Sequence, residues 1–523
     1  MKQTFCWRQT AVAAACLAAV SARADVTLSP LFSDHAVLQR DRPLPVWGWA
    51  EPGGTVSVTL GKETGTAEAG KDGKWMVRLA AQPVCMEPLT LTVKGRNTLT
   101  RTDILLGDVW LCGGQSNMEW GLGGCDAPED IQTANFPLIR HFGTAYNFAA
   151  TVQTNTDGEW RVATPANAPH FTAVGFYFGR KVHRETGVPV GLLRSCVGGT
   201  CIELWMSQET LLNTPVLEPY ARQMRESLAQ YQKELTSAIP GMEAWLAQAR
   251  AAQKAGQLLP MPPPFPDFPF MERNPRPRCV TLHNGMIAPL VPFALRGAIW
   301  YQGESNAGDQ LYLEKKRAMV ADWRRYFGDP NLPFYFVQLA AWQNPNDNPG
   351  HSDDWAQIRE QQLRCLEIPH TGMASALDVG DAADIHPRNK GDVGERLALW
   401  ALRDVYGKSI EPSGPLFQQA QVQGDRIRIS FTHLGRGLMV GRKEGRTQTM
   451  EDREGQLRRF AIAGEDKQWH WAEARIDGDT VVCSSPQVSK PVAVRYAWSI
   501  NPAGANLYNR DGLPASPFRS DNW

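Results

Sequence analysis

The chain has 523 residues, more than one hydrophobic core usually organises, so two or three domains are expected. Hydrophobic residues make up 43% and charged residues 21%, the balance of an ordinary globular protein. Lys plus Arg and Asp plus Glu both number 54, so no overall charge draws the chain to nucleic acid or to an anionic membrane.

In chain order, the first element is a leader. Lys2 and Arg8 precede an apolar run from Ala11 to Val20, and Ala22-Arg23-Ala24 supplies the small-x-small pattern of a cleavage site. The run is about half the roughly 20 apolar residues that a spanning helix needs. Residues 1–24 therefore read as a signal peptide and the mature chain as beginning near Asp25, exported to the periplasm or secreted, with no membrane attachment. The remaining cysteines are irregularly spaced without a C-x-x-C, which argues against a structural zinc. Cys112–Cys125 and Cys196–Cys201 are close enough to bridge, and free thiols fit equally.

Residues 25–103 are short β-type runs separated by turns. Leu44-Pro-Val-Trp-Gly-Trp, Thr55-Val-Ser-Val-Thr-Leu, Trp75-Met-Val-Arg-Leu and Leu89-Thr-Leu-Thr-Val alternate with glycine-bearing turns, which predicts a small β-sandwich. From residue 104 to about 408 strands alternate with helices. Strands are expected at Asp108–Cys112, Val188–Ser195, Ala294–Tyr301, Pro333–Leu339 and Gly372–Val379. Helices are expected at Ala173–Thr186, Gln310–Tyr326, Asp354–Leu366 and Lys390–Val405. The alternation predicts an α/β domain: a mostly parallel sheet with helices on both faces. An insertion at about 209–275 starts helical, to Gln257, and continues through the proline-rich Leu258-Leu-Pro-Met-Pro-Pro-Pro-Phe-Pro, which reads as an extended crossing. Residues 409–523 return to β-type runs, Gln421–Phe431, Val481–Ser484 and Val492–Ala497, forming a C-terminal β region.

The chemistry begins at Gly107-Asp-Val-Trp-Leu-Cys-Gly-Gly-Gln-Ser-Asn-Met-Glu119. An apolar strand ends, two glycines follow, and Ser116 stands in the turn, where an open α/β sheet binds its ligands. Glycine lets backbone approach substrate and leaves amide N–H groups to face an oxyanion. Alone, the same pattern also describes an ordinary capped turn. A serine needs a base, and His386 sits in Asp384-Ile-His-Pro, in a turn between an expected strand and helix. His283 reads as a packed, hydrogen-bonded structural histidine.

Gly114-Gln-Ser-Asn-Met resembles the nucleophile block of SGNH (GDSL-like) esterases, in the form used by sialate O-acetylesterases and related acetylxylan esterases. Val197-Gly-Gly-Thr-Cys-Ile-Glu-Leu-Trp-Met-Ser207, Ile299-Trp-Tyr-Gln-Gly-Glu-Ser-Asn306 and Asp384-Ile-His-Pro-Arg-Asn-Lys390 resemble the later blocks, in the family's order. Asn284-Gly-Met-Ile-Ala-Pro-Leu290 is typical of the sialate branch. The resemblance spans about residues 30 to 410. It implies an SGNH-type three-layer α/β/α hydrolase domain flanked by the two β regions. Ser116 is the implied nucleophile and His386 the base.

The aspartate usually lies three residues before the histidine, where this chain has Ala383. Asp384 is the choice, with Asp381 and Asp378 as alternatives, or a carbonyl in a Ser–His dyad. The oxyanion donors implied are the amides of Ser116 and Gly198 or Gly199, and the side chain of Gln302 in place of the usual asparagine. Gln115, Asn117, Glu304, Asn306 and Trp205 are candidates for sugar contacts; Trp120 and Trp205 could stack on a sugar ring, although large aromatics are more often core. No cofactor or metal is required. The implied substrate is O-acetylated carbohydrate, foremost sialic acid, whose carboxylate would need Arg194, Arg388 or Lys390. The alternatives are an acetylxylan or other polysaccharide acetylesterase, and an inactive glycan-binding protein.

Overall fold

The structure, a computed structural model, describes residues 25–270 and 279–523. The leader reading and the last residues of the insertion fall outside these ranges. The chain folds as a mixed α/β protein with several sheets.

Alternation decides the N-terminal strands. Lys74–Leu79 turns Trp75, Val77 and Leu79 inward and leaves Lys74, Met76 and Arg78 outside, and it pairs antiparallel with Leu44–Trp49. Thr55–Leu60, Glu63–Glu68 and Cys85–Lys94 form a second antiparallel group. This group is continuous with the central sheet, because one 17-residue strand, β1 (Thr98–Gly114), belongs to both. The boundary expected at 103/104 thus lies inside a strand. Asp103 bends it there (φ 57°), its carboxylate held by Arg140 at 2.8 and 3.1 Å.

The central sheet adds β2 (Phe136–Gly143), β3 (Trp160–Ala163), β4 (Val190–Cys196), β5 (Gly297–Tyr301), β6 (Phe334–Gln338) and β7 (Thr371–Ser375), in the order β3-β2-β4-β1-β5-β6-β7. Every pairing is parallel except that of β3 with β2 at one edge. Near-continuous burial along β5, β6 and β7 is what a parallel sheet covered on its faces requires. After a four-residue α1 (Ser116–Glu119), helices α2 (Ala173–Thr186), α3 (Glu218–Ala255), α4 (Tyr312–Tyr326), α5 (Asp354–Arg364) and α6 (Lys390–Asp404) follow. α2 packs against α6, and α4 against α5. The long α3 and the extended stretch after it form the insertion; Trp245 Nε1 donates to the Pro260 carbonyl at 2.8 Å and ties the two together.

The C-terminal β region has its own core around Ile427, Ile429, Phe431, Phe460, Tyr496 and Phe518. It is fastened to the central sheet by the buried Arg359 guanidinium, which donates to the Ser499 and Ile500 carbonyls at 2.8 and 3.0 Å. No helix among the described residues is long and apolar enough to cross a membrane.

Candidate active site

β1 ends in Gly113-Gly114, and both glycines are dictated by β5 beside them. A Cβ on Gly113 would press on Trp300 and Trp323 at 3.0 Å, and one on Gly114 (φ 134°) would lie 2.1 Å from the Tyr301 carbonyl oxygen. The tight turn delivers Ser116 to the first position of α1, where backbone N–H groups have no intrahelical partner. The loops after β4, β5 and β7 converge there.

Ser116 Oγ lies 2.9 Å from His386 Nε2, across 270 positions of sequence. The opposite ring nitrogen, Nδ1, is 3.0 Å from Asp384 Oδ1, which also accepts the His386 backbone N–H at 2.9 Å. That backbone bond, helped by the ring, holds the partly exposed Asp384 carboxyl below the usual carboxylate range. An ionised acceptor on Nδ1 fixes the tautomer with a free Nε2 facing the hydroxyl. The two alternative aspartates are engaged elsewhere: Asp378 binds Arg396 at 2.6 and 2.8 Å, and Asp381 accepts the Ala383 N–H at 2.8 Å. Trp120 stacks on the imidazole, centroids 4.9 Å apart and planes 19° apart, so it supports the ring on one side.

The expected oxyanion donors divide. Gly198 faces Ser116, since a Cβ on it would be 3.3 Å from Ser116 Cβ; its N–H donates to Glu119 Oε2 at 2.6 Å. Tyr146 donates to the other oxygen of Glu119. Gln302 is fully buried, and its amide nitrogen serves the Thr200 carbonyl at 3.2 Å and Asn306 Oδ1 at 2.7 Å, while its oxygen accepts from Tyr312 at 3.0 Å. The Thr200 carbonyl can only accept, so the orientation of the amide is set, and both hydrogens are spent on bracing. The expectation of Gln302 as an oxyanion donor is corrected accordingly.

Four expected sugar contacts are likewise turned inward. Trp205 is fully buried, edge-on to Trp300 at 5.9 Å. Asn306 accepts from Ile202 N–H at 3.0 Å and donates to Glu203 and Asp309. Gln115 accepts from Ser305 N–H at 3.4 Å, joining the first loop to the third. Asn117 donates to Glu304 Oε1 at 2.6 Å and to the Ile385 carbonyl at 3.1 Å. Burial raises the Glu304 carboxyl. Together these residues knit the loops rather than line a groove. His283 is packed on Tyr326 as expected, but its ring nitrogens lack the expected hydrogen bond, Nε2 lying 3.9 Å from Asp322 Oδ2, and burial lowers the imidazole.

A cavity of ≈ 710 Å³ opens beside Glu119, lined also by His141, Arg161, Phe171 and Arg194. Glu119 lies within the Gly107–Glu119 block, where nothing local marks it for this contact, and no sequence signal marks Tyr146. Lys390 is buried on Asn117 Oδ1, and Arg388 is exposed and paired with Asp126 at 3.0 Å. Cys112 and Cys125 are unbridged thiols. Among the described residues no group of three or more His, Cys, Asp or Glu side chains is placed to hold a metal ion.

A serine hydroxyl, an imidazole and a carboxylate in line at the strand ends of a parallel sheet define the serine hydrolase class. The sequence profile of the carbohydrate esterases described as sialic acid-specific acetylesterases matches residues 106–241 and 281–403. The sialate O-acetylesterase of Rattus norvegicus is 30% identical over 93% of this chain and 92% of its own length, and that of Homo sapiens 28% over 90% and 88%. A solved carbohydrate acetylesterase from Xanthomonas citri is 38% identical, with TM-score 0.78, covering 95% of this chain and 100% of that one. The chain belongs to the sialic acid-specific acetylesterase family of carbohydrate esterases. It is a carboxylic ester hydrolase.

Proposed function

We propose that the protein removes O-acetyl groups from carbohydrate, with O-acetylated sialic acid as its substrate, through an acetyl-enzyme on Ser116. The observation that carries this reading is the 2.9 Å contact between Ser116 Oγ and His386 Nε2, backed by Asp384 at 3.0 Å. His386 takes the Ser116 proton as Oγ bonds to the acetyl carbon, and the carbonyl oxygen becomes an oxyanion facing the Ser116 and Gly198 amides. To reach Gly198, the substrate oxygen takes the place of the Glu119 carboxylate. The imidazolium then returns its proton to the departing sugar oxygen as the C–O bond breaks. Water, deprotonated by His386, adds to the acetyl carbon; acetate leaves and Ser116 regains its hydrogen.

Of Arg194, Arg388 and Lys390, Arg194 best fits a sialate carboxylate. It lines the cavity beside Glu119, and its Nε is buried without a hydrogen-bond partner, whereas Lys390 and Arg388 are engaged. A second reading, an acetylated neutral polysaccharide as substrate, is favoured by the mixed lining of the cavity, where Glu119 and Glu159 offset Arg161 and Arg194.

Acetate release from O-acetylated sialic acid and from acetylated xylan separates the two. The sialate reading expects a preference of at least tenfold for the first that Arg194→Ala abolishes; equal turnover overturns it. Within the same proposal, the catalytic domain is of the SGNH three-layer type, residues 25–103 are a β-sandwich, and the chain is exported after loss of residues 1–24. An exported product whose N-terminus is not near Asp25 would refute the last point.

A further inference from the structure

Lys390 is fully buried at the start of α6 and makes no ion pair with any described residue. An ammonium in such a place is costly unless something holds it. Burial pulls the group down to about 8. Its hydrogen-bond partner is Asn117 Oδ1, and its charge lies over the Trp120 and Tyr301 rings, 6.0 and 5.7 Å from their centroids. Each of the first two partners touches the catalytic pair. Asn117 follows Ser116 and donates to the carbonyl of Ile385, the residue before His386, at 3.1 Å. Trp120 is the ring on which the imidazole stacks.

We infer that Lys390 is the positioning residue of the Ser116–His386 pair, acting through Asn117 and Trp120. An asparagine amide can turn over. With a donor fixed on Oδ1, its nitrogen is left to the Ile385 carbonyl and to Glu304 Oε1, the latter at 2.6 Å. The nucleophile helix and the histidine loop are thereby clamped one residue away from each reacting group. The cation beside the Trp120 face steadies the ring under the imidazole. Glu304, Asp384 and Cys125 are the ionisable groups whose charge Lys390 feels, and none lies at ion-pairing distance from it. The lysine therefore serves orientation more than pairing.

The inference rests on the reading of Ser116 and His386 given above, and its test uses 4-nitrophenyl acetate, so the identity of the sugar does not enter. Lys390→Met keeps the stem and removes the charge. Replacing the buried charge with an apolar side chain of similar volume removes its desolvation cost, which offsets the loss of the donor to Asn117 Oδ1, whereas a misaligned pair loses on the order of a hundredfold in rate. The expected result is a kcat about 10- to 100-fold lower, KM within about twofold, and an unchanged or higher Tm. Lys390→Met/Asn117→Ala is expected to lose no more than the worse single variant, since both act on one clamp. Asn117→Asp, which keeps the acceptor for Lys390 and loses the donors, is a second route if Lys390→Met fails to fold; it is expected to lose as much kcat. Ser116→Ala is the control. If it abolishes turnover while Lys390→Met, or failing that Asn117→Asp, retains full kcat, the inference is wrong and the reading of the site survives. If Ser116→Ala remains active, both fall.

Discussion

In the mechanism proposed above, the Glu119 carboxylate sits on the amide that the substrate oxygen reaches. Its Oε2 accepts the Gly198 N–H at 2.6 Å, and Tyr146 holds its other oxygen. On that proposal, an acetyl carbonyl that reaches the Gly198 amide breaks this contact first. A hydrogen bond to an ionised group is worth about 1.5–3 kcal/mol in place, and water recovers part of that when the side chain swings into the adjoining cavity. A residual of about 1.4 kcal/mol corresponds to a tenfold lower apparent affinity for the transition state. Glu119→Ala is therefore expected to raise kcat/KM for 4-nitrophenyl acetate roughly tenfold. Glu119→Gln should raise it less, because its amide oxygen still accepts from Gly198, and Tyr146→Phe should move the same way by a few-fold. Steady-state kinetics on the three variants, with circular dichroism to show the fold intact, decides the matter. A tenfold or larger fall in kcat/KM for a folded Glu119→Ala would refute the reasoning and make Glu119 a group that catalysis needs in place.

Asp384→Asn should lower kcat by about 10- to 100-fold, less than loss of a deeply buried triad carboxylate, because its side chain is 39% exposed and water replaces it in part. The Asp384 carboxyl lies below its usual range, so its contact with His386 is present at neutral pH and is lost only on acidification past that lowered value; the pH profile of Asp384→Asn should therefore match wild type more closely at acid pH than at neutral pH. Gln302→Ala should cost about 2–3 kcal/mol of stability, by leaving the Thr200 carbonyl and Asn306 without their partner. The kcat of the folded fraction should stay within a few-fold; a hundred- to thousandfold loss would restore Gln302 as an oxyanion donor. Lys316, buried among Phe336, Trp300 and Tyr312 with no hydrogen-bond partner, is pulled by burial from 10.5 down to about 7. Between these values the unfolded chain binds the extra proton, so stability rises with pH across that window. Lys316→Met should add a few kcal/mol below pH 7, and the gain should shrink towards pH 10. Chemical denaturation at pH 6 and pH 9.5 measures both, and an equal gain at the two values would refute the assignment.

What could be read in advance was what is local in the chain. The glycines before Ser116 and the Asp384-Ile-His-Pro turn carry their geometry in consecutive residues, and the structure sets their side chains 2.9–3.0 Å apart in a row. Strands β5 and β6 are legible because burial on both faces leaves runs that are apolar or aromatic over four or five residues. β2 is not: Arg140 and His141 interrupt it, and the partners that let them be buried are distant in sequence, Asp103 for the first and Phe171, stacked at 4.5 Å, for the second. The same limit explains the inverted roles in the third block. Gln302 and Asn306 are residue types that suit an active site, and their spacing says nothing about which way they point. The loop after β4 offers the Thr200 carbonyl and the Ile202 N–H at bonding distance, and buried polar groups must be satisfied, so both amides turn inward to meet them. Glu119 escaped for the opposite reason: it stands in the most recognisable block of the chain, but its partners are Gly198, 79 positions away, and Tyr146, 27 positions away. A residue whose role is to occupy another residue's hydrogen bond leaves no mark in local sequence. Its meaning exists only once both loops are folded, and that is why the substitution at Glu119 tests the assembled site more directly than any change within the triad.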